Sequence, residues 1–400
     1  MNTIMQEALA LQAWLTEHRR WLHAHAEPGF ALAETKEYVR RQLVEMGYEP
    51  KDCGRAGLVA LAGGKKDGKV FLLRADMDAL PMGEESGEEF SCPSGKAMHA
   101  CGHDLHTAML LGAAKLLKEH ESEIDGTVKL MFQPSEETFE GAKDMIKNGV
   151  LNAPIPDAAA MIHVTAASPL KAGSIIVCGP GVSNAAADYF TIRVQGKGCH
   201  GSTPQNGVDA LTVAAHILLA LQNIHAREIA SSEEAVLTIG TIQGGTASNV
   251  IADTAVMGGT IRTFDENIRA FLKERMEAIT AGTAATFRAT ATVEYGSGCP
   301  TLVNDPALVS QVSGYLKELL GNEALTAKDL GIAVRGGGSE DFAYISQELP
   351  SVMLALSAGE PSRGYVYPQH HPKVHFDEAV LPTGTAAFVH MALRWLEENR

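Results

Sequence analysis

Four groups of polar residues have the composition of a metal centre that could activate water. They are Ala75-Asp76-Met77-Asp78, Met98-His99-Ala100-Cys101-Gly102-His103-Asp104, Gln133-Pro134-Ser135-Glu136-Glu137 and the single His163. Cysteine, histidine and carboxylate side chains are the ligands that zinc and neighbouring divalent transition metals prefer. Each group alone has an ordinary structural explanation. Their occurrence together predicts a metal site with hydrolytic chemistry.

The Cys101-Gly102-His103 step is a short chelating sequence. A thiolate and an imidazole project from one loop, and the glycine between them lets the backbone turn tightly. Taken alone, the step is more simply explained as a buried thiol beside a loop that caps a helix. The neighbouring polar groups favour the metal interpretation.

The adjacent pair Glu136-Glu137 suggests a division of labour between two carboxylates. On an irregular loop, neighbouring side chains point in different directions, so one can bind a metal while the other faces the water that is to react. A metal lowers the pKa of its water, and a positioned carboxylate then accepts the proton and passes it on. A solvated acidic loop is the ordinary alternative, because charge runs are usually exposed.

The elements that must position these groups alternate strands with helices over the first 180 residues. The strands are predicted in the runs LVALAG, VFLLRAD, TVKLMFQ and AAAMIHV, with helices near Asp104–His120 and Glu140–Asn148. This alternation is typical of a parallel α/β sheet, and the continuous apolar runs VFLLR and VKLMF belong at its centre. The polar groups follow strand ends, where open α/β sheets bind their ligands.

A second pattern begins near Asn184. The order strand, helix, two strands, helix, strand predicts a ferredoxin-like (βαββαβ) α+β unit. After about Gly298 the α/β pattern resumes, with helices at Pro306–Leu320 and Leu381–Glu398 around the strand SVMLALSA. We therefore predict an α/β domain formed by residues 1–183 and 297–400, interrupted by an inserted satellite domain of residues 184–296.

Composition excludes several classes of protein. The 400 residues include 48 acidic and 33 basic side chains, for a net charge of −15, which disfavours nucleic acid or anionic membranes as partners. No apolar run approaches the roughly 18 residues that a membrane span needs, and the first 22 residues resemble an amphipathic helix rather than a signal peptide. The six cysteines are scattered singly, which indicates free thiols in a reducing, cytoplasmic compartment.

Several other polar residues are weaker candidates. His370 and His371 precede Pro372 in an extended loop from which an imidazole could reach a site. In the satellite domain, His200 lies between a strand and a helix, and Asn249 and Arg262 lie on neighbouring strand segments. An arginine entering a cleft could clamp a carboxylate, although a surface ion pair is the default. His23 and His25 are interpreted as residues that cap or pack a helix end.

These motifs resemble the M20 metallopeptidase and amidohydrolase family, and within it the N-acyl-L-amino-acid amidohydrolase, hippurate hydrolase and indoleacetyl-amino-acid hydrolase subgroup. The resemblance runs through nearly the whole chain. Its motifs are RRWLHAHAEPGF, LLRADMDALP, MHACGHDLHTAMLLGAA, FQPSEE, HV, CHGSTP, NVIADT, GTIRTF, GGGSEDF and HHPKVHFDE. The resemblance implies a di-metal catalytic domain and a satellite domain that serves as a lid and dimer surface.

The resemblance also implies a role for individual residues. Cys101 would bridge two divalent ions (Zn, Mn, Co or Ni), Glu136 would be general base and acid, and Asp78 would orient the site. The other implied metal ligands are His103, Glu137, His163 and His370, with His371 kept as the alternative to His370. His200 would polarise the scissile carbonyl, while Asn249 and Arg262 would hold the substrate carboxylate. Gln205 and Ala252 depart from the pattern of many relatives, which leaves substrate preference near the lid open.

The expected activity is metal-dependent hydrolysis of the amide bond of a small-molecule N-acyl amino acid, by a homodimer or tetramer. The nearest alternative is a carboxypeptidase or dipeptidase that uses the same di-metal site. A cysteine hydrolase with Cys101 as its nucleophile is an alternative from another class, and it would remain active after chelation. A metal-stabilised binding protein without catalysis is disfavoured by the intact Glu136-Glu137 pair.

Overall fold

The computed structural model describes residues 3–64, 68–331, 335–336 and 338–400. Gly337, within the GGGSEDF motif, is outside the described residues. The chain folds into two compact units. The first contains Met1–Ser183, Val303–Arg335 and Glu340–Arg400, and the second contains Asn184–Leu302 and Gly336–Ser339.

The strands and helices of the two units are numbered along the chain. The strands are β1 (Lys51–Cys53), β2 (Gly57–Gly63), β3 (Val70–Asp76), β4 (Thr127–Gln133), β5 (Ala158–Thr165), β6 (Ile175–Val177), β7 (Gly181–Asn184), β8 (Ala186–Gln195), β9 (Cys199–His200), β10 (Ala235–Gly244), β11 (Val250–Ile251), β12 (Thr254–Thr263), β13 (Thr290–Cys299), β14 (Leu302–Asn304), β15 (Ala324–Thr326) and β16 (Ser351–Ser357). The α-helices are α1 (Thr3–Ala10), α2 (Gln12–Ala24), α3 (Ala33–Glu45), α4 (His103–Glu119), α5 (Gly141–Lys147), α6 (Ala210–Asn223), α7 (Glu266–Thr286), α8 (Pro306–Leu320), α9 (Ala327–Leu330), α10 (Ala343–Ser346) and α11 (Leu381–Glu398).

The first unit is built on an eight-stranded sheet of order β1-β2-β4-β3-β5-β16-β6-β15. Its centre, from β4 through β3 and β5 to β16, is parallel. Every residue of β3 and β4 is buried, as their apolar runs predicted. On one side β2 joins β4 antiparallel, and on the other β6 joins β16 antiparallel, so the sheet is mixed at its flanks.

Helix α4 packs against this eight-stranded sheet. Fourteen of its 17 residues are buried, because it packs between β3 and the outer helices α2 and α11. Its first residue is His103, so packing of α4 directly positions a candidate ligand at the helix N-terminus.

The second unit is a four-stranded antiparallel sheet of order β10-β12-β8-β13. Along β8, the alternating residues Phe190, Ile192 and Val194 are buried in a core that α6 and α7 complete. The element sequence β8-α6-β10-β12-α7-β13 is the predicted βαββαβ arrangement. The predicted fold class, a mainly parallel α/β sheet domain with an inserted ferredoxin-like unit, is therefore confirmed.

No helix in the described part of the chain combines the length and apolarity that crossing a membrane requires.

A buried ion cluster ties α2 to the start of α4. Nε of Arg19 and Nδ1 of His23 each lie 2.8 Å from Oδ2 of Asp104, whose side chain is fully buried. Burial opposes ionisation of Asp104, but Arg19 and His23 outweigh it and hold the pKa of this carboxyl far below its usual range. His23 thus packs at the helix end as predicted, and it does so as a partner of Asp104.

We expect Asp104→Asn to lower the free energy of unfolding by about 3–5 kcal/mol at pH 7, because it leaves buried cations without their anion. A carboxyl with a depressed folded pKa contributes stability above its unfolded pKa, and the contribution is lost as pH falls. The difference between wild type and variant should therefore shrink by about 1.4 kcal/mol per pH unit below about pH 4. Urea unfolding between pH 7 and pH 3 measures it. Glu294→Gln, which breaks the exposed pair with Arg193, is the control and should change stability little.

Candidate metal centre

The candidate centre lies in the first unit, at the carboxyl ends of three adjacent parallel strands. Asp76 ends β3 and is paired in register with Gln133, which ends β4. His163 lies near the end of β5, on the other side of β3. The loops that leave these strand ends carry Asp78 and Glu136. Parallel pairing therefore brings together polar residues that are up to 87 positions apart in the sequence.

Gly102 makes possible the tight turn that presents Cys101 and His103. It has a φ of +93°, a left-handed conformation that favours glycine. A Cβ atom there would lie 2.3 Å from Cγ2 of Val164 and 3.2 Å from Cζ of Phe376. The turn therefore requires glycine both for its backbone angle and for the space it occupies.

His103 and His163 are oriented in the same way. Nδ1 of His103 donates to the backbone oxygen of Asp78 at 2.8 Å, and Nδ1 of His163 donates to that of Val164 at 2.7 Å. Both rings consequently turn Nε2 toward the cluster. A hydrogen bond from the second ring nitrogen to a carbonyl is the usual arrangement of a histidine that binds a metal.

The Cys101 thiol lies among these imidazoles. Its Sγ is 3.5 Å from Nε2 of His163. Burial disfavours the thiolate, but His163 and His103 outweigh it and lower the pKa of Cys101 to about 6. Although burial of His163 acts in the opposite sense, Cys101 in turn raises the pKa of that imidazole to about 9. The site thus favours the thiolate, which is the form of cysteine that binds metals.

Asp78 shapes the turn that carries the two glutamates. Its carboxylate accepts from the backbone N–H of Glu136 at 2.9 Å and from that of Glu137 at 3.3 Å. Ser135 and Phe139, on either side of the turn, have φ of +57° and +59°. The backbone is therefore held in a conformation that directs the two neighbouring side chains to different partners.

Glu136 faces an acidic interior, and Glu137 faces the candidate ligands. Glu136 is grouped with the buried carboxylates of Glu340 and Asp341. Its burial, followed by the charges of Glu340 and Glu137, raises its pKa well above the usual range. Burial of Glu137 acts in the same sense, but His370 and His103 outweigh it and lower the pKa of Glu137. One carboxyl thus has a high affinity for a proton while its neighbour stays ionised.

The two C-terminal histidines have different surroundings. Nε2 of His370 lies 3.3 Å from Oε1 of Glu137, and hydrogen bonding with Cys101 and Glu137 raises the pKa of His370 to about 10. His371 instead stacks on the ring of Tyr367, with 4.4 Å between ring centroids, and its Nδ1 accepts from the backbone N–H of Lys373. Of the two, the structure groups His370 with the candidate ligands.

The candidate ligands form two overlapping sets that share one thiol. One set is Cys101, His103 and His163, and the other is Cys101, Glu137 and His370. Nε2 of His103 is buried without a hydrogen-bond partner among the described residues, whereas Oε1 of Glu137 is buried and lies 3.3 Å from Nε2 of His370. A buried polar atom without a partner is costly, so this nitrogen fits a site that receives a cation. The donor types, sulfur, nitrogen and oxygen, suit divalent transition metals.

Two buried residues beside this cluster were not assigned a role from the sequence. Oδ1 of Asp76 accepts from Nδ1 of His106 at 2.6 Å, and Nε2 of His106 accepts from the backbone N–H of Val164 at 2.8 Å. Burial lowers the pKa of His106 to about 4, so its ring is neutral. Oδ2 of Asp76 also lies 3.7 Å from Nε2 of His103. The spacing of His106 three positions after His103 on one helix was the available signal.

The other predicted site residues belong to the second unit. His200 on β9 is paired with Val250 on β11, next to Asn249. Nδ1 of His200 accepts from the backbone N–H of Ser202 at 3.1 Å, so its proton is on the exposed Nε2. Arg262 lies on β12, with its guanidinium 5.6 Å from the centroid of the Tyr189 ring. Within this unit His200 and Asn249 are neighbours, whereas Arg262 lies on the four-stranded sheet.

Residues 72–394 match the model of peptidase family M20/M25/M40. The chain belongs to the M20 family. This agrees with the resemblance inferred from the motifs, and it establishes the protein as a metal-dependent hydrolase that acts on amide bonds.

Similar proteins have names that give different substrates. An N-acetyl-L-cysteine deacetylase of Bacillus subtilis is 35% identical over 97% of this chain and 90% of its own. A thermostable carboxypeptidase of Saccharolobus solfataricus is also 35% identical, over 99% of this chain and 98% of its own. Among solved structures, a dinuclear metal binding peptidase of the M20 family from B. subtilis superposes with a TM-score of 0.79 at 32% identity, covering 97% of this chain and 99% of that one. Two divalent metals therefore suit this fold.

We expect Gly102→Ala to abolish stable binding of at least one metal ion, because the added methyl group must displace Val164 or the turn that holds Cys101 and His103. Gly87→Ala is the matched control, since Gly87 has a φ of +80° and nothing lies within 4 Å of the added atom. Both variants incur the cost of a left-handed alanine, about 1–2 kcal/mol. Metal content per chain after dialysis should fall in Gly102→Ala alone. Equal metal content in the two variants would contradict the expected role of the turn.

Proposed function

We propose that this chain hydrolyses the amide bond of N-acyl amino acids, releasing a carboxylic acid and a free amino acid. The observation that carries the proposal is the placement of Glu136. This carboxyl is buried, has a raised pKa and lies 3.9 Å from Nε2 of His103, beside two ligand sets joined by Cys101. A base next to a di-metal centre is the arrangement that amide hydrolysis by water needs.

Two divalent ions, when bound, supply Lewis acidity to a water molecule and to the substrate carbonyl. The proposed ligands are Cys101, His103, Glu137, His163 and His370, with Cys101 shared between the two sets. Zn, Mn, Co and Ni all suit this mixture of sulfur, nitrogen and oxygen donors. Asp78 fixes the backbone of both glutamates and accepts no proton in this scheme.

Glu136 moves the proton. It accepts a proton from the attacking water and returns it to the nitrogen of the departing amino acid. Its neighbours explain why it and not Glu137 has this role. Glu137 stays ionised beside His370 and His103, while Glu136 lies among carboxylates that favour its protonated form. The raised pKa makes Glu136 the more basic carboxylate of the pair and the better acceptor of a proton from water.

Three residues of the second unit complete the proposed machinery. His200 donates from Nε2 to the carbonyl oxygen as negative charge develops there, and its hydrogen bond from Ser202 keeps the ring in the tautomer that can do so. Arg262 and Asn249 bind the free carboxylate of the substrate. We propose that the second unit also acts as lid and dimer surface in a homodimer or tetramer, since β10 is an edge strand with mostly exposed residues.

Carboxypeptidase activity remains the second candidate, because a carboxypeptidase is among the relatives at 35% identity. Its substrates share the amide and the free carboxylate with N-acyl amino acids. We favour acyl-amino acids because four relatives have names of that kind, two N-acetylcysteine deacetylases and two IAA-amino acid hydrolases, whereas two are named as carboxypeptidases. We also propose a cytoplasmic location, because all six cysteines are free thiols, as expected in a reducing compartment.

The cysteine-nucleophile alternative has one observation in its favour, which is the lowered pKa of Cys101. The same thiol, however, lies in both ligand sets, where thiolate character serves metal binding equally well. A cysteine nucleophile keeps its activity after the metals are removed by a chelator.

We expect Glu136→Gln to lower kcat by about 10³-fold or more, because the amide cannot accept a proton from water. Glutamine has nearly the same shape, and the five proposed ligands are untouched, so metal content per chain should stay at the wild-type value. Glu140→Gln is a control on the same segment, where Glu140 is partly exposed and pairs with Lys143. Normal turnover in Glu136→Gln would refute the role given to this residue.

A substrate panel separates the two activities. We expect N-acetyl and longer N-acyl amino acids to be cleaved with a kcat/KM at least about tenfold above that for dipeptides with the same C-terminal residue. Amidated analogues that lack the free carboxylate should be poor substrates. A preference for dipeptides would establish the carboxypeptidase alternative instead.

A further inference from the structure

We propose that Asp341, with Arg74 and Glu340, is a positioning residue for the loop that carries Glu136. The inference rests on the proposed function, in which Glu136 is the general base. Asp341 and Glu340 belong to the GGGSEDF segment, to which no role has been given so far. Both are buried, with 0% and 3% of the residue surface exposed.

Asp341 holds both ends of the loop from Pro134 to Gly141. Its Oδ1 accepts from Nε2 of Gln133, the last residue of β4, at 2.6 Å. Its Oδ2 accepts from the backbone N–H of Ala142, in the first turn of α5, at 2.9 Å. The carboxylate of Asp341 thus connects the end of β4 to the first turn of α5. Asp78 fixes the middle of the same loop through the N–H groups of Glu136 and Glu137.

Arg74 fixes Asp341 in turn. Its Nη2 donates to Oδ1 of Asp341 at 3.0 Å and to Oε1 of Glu340 at 2.9 Å, and its Nε donates to Oε1 of Gln133 at 2.9 Å. Its Nη1 donates to Oδ2 of Asp76 at 2.6 Å. The guanidinium is fully buried, so these hydrogen bonds have no competition from water. The planar guanidinium of Arg74 therefore connects the end of β3, the end of β4 and the Glu340-Asp341 segment.

The loop is tightly turned and also has hydrogen bonds of its own, in which the backbone N–H of Phe139 donates to the oxygen of Glu136 and that of Gly141 to the oxygen of Ser135. Gly141 lies against the backbone oxygen of Pro134, where a Cβ atom would be only 1.6 Å away, so the two ends of the loop are in close contact. Ser135 and Phe139 both have left-handed backbone angles, which cost energy in residues other than glycine. Such a conformation persists only when its surroundings impose it. The carboxylates of Asp341 and Asp78 are the groups outside the loop that accept hydrogen bonds from its backbone and from the two residues that flank it.

The test compares Asp341→Asn with Asp188→Asn in the full-length, metal-loaded enzyme. Asparagine keeps the shape but loses the charge and one of the two acceptor oxygens. Asp188 is a matched control, because it is also a buried carboxylate paired with an arginine, Arg269, at 2.7 Å and 2.9 Å, and it lies in the second unit. Hydrogen exchange of segment 134–141, metal content, kcat and KM are measured for both variants.

We expect Asp341→Asn to speed hydrogen exchange in segment 134–141 and to lower kcat per metal-loaded chain by about 100-fold, with a much smaller change in KM. Asp188→Asn should change neither quantity. If Asp341→Asn does not fold, Gln133→Met carries the test, since it removes the hydrogen bonds that the Gln133 amide makes with Asp341 and Arg74 and leaves every charge in place. Its effects should have the same direction and be smaller.

The outcomes are separable. Unchanged exchange in segment 134–141 overturns the positioning role whatever the activity. Faster exchange with kcat within about threefold of wild type overturns its link to catalysis. If the wild-type enzyme cleaves no amide of the panel while Asp341→Asn still loosens the loop, the proposed function fails and the positioning of the loop stands.

Discussion

Buried charge is the constraint around which the first unit is organised. The carboxyls of Asp76, Asp78, Glu136 and Asp341 are buried at the carboxyl edge of the sheet. The fully buried guanidinium of Arg74 pairs with Asp76, with Asp341 and with the neighbouring Glu340. Charges withdrawn from water need partners of opposite sign, and an acidic excess of this kind suits a site that receives divalent cations. Metal ions bound at the proposed centre would therefore neutralise part of the buried negative charge of this unit.

A second cluster of buried charges lies next to the first, at the start of α4. His103 and Asp104 are consecutive at the start of this helix, yet they serve different clusters. His103 faces the candidate ligands, while Asp104 faces Arg19 and His23 from α2. Because α4 is buried on nearly all sides, a shift of one cluster would have to move the other. The site is thereby anchored to the N-terminal helices.

The two units carry different parts of the proposed chemistry. The groups that could bind metals and move a proton all lie in the first unit, on the ends of rigid strands or next to them. The groups proposed to bind the substrate carboxylate and polarise its carbonyl lie in the second unit. A catalytic scaffold of this type can keep its reaction while residues elsewhere change the substrate, which agrees with a deacetylase and a carboxypeptidase at equal identity among the relatives.

Sequence alone determined the features that depend on short stretches of chain. Apolar runs identified the central strands β3 and β4, the element order identified both units, and motif spacing pointed to the Cys101-Gly102-His103 turn and the Glu136-Glu137 pair. Only the tertiary structure decided which partners these residues meet. It showed the antiparallel flanks of the sheet, and it placed His370 rather than His371 beside Glu137. It also joined Arg74 to Glu340, 266 positions away. Contacts of that range depend on how strands are ordered in a sheet, which local periodicity does not record.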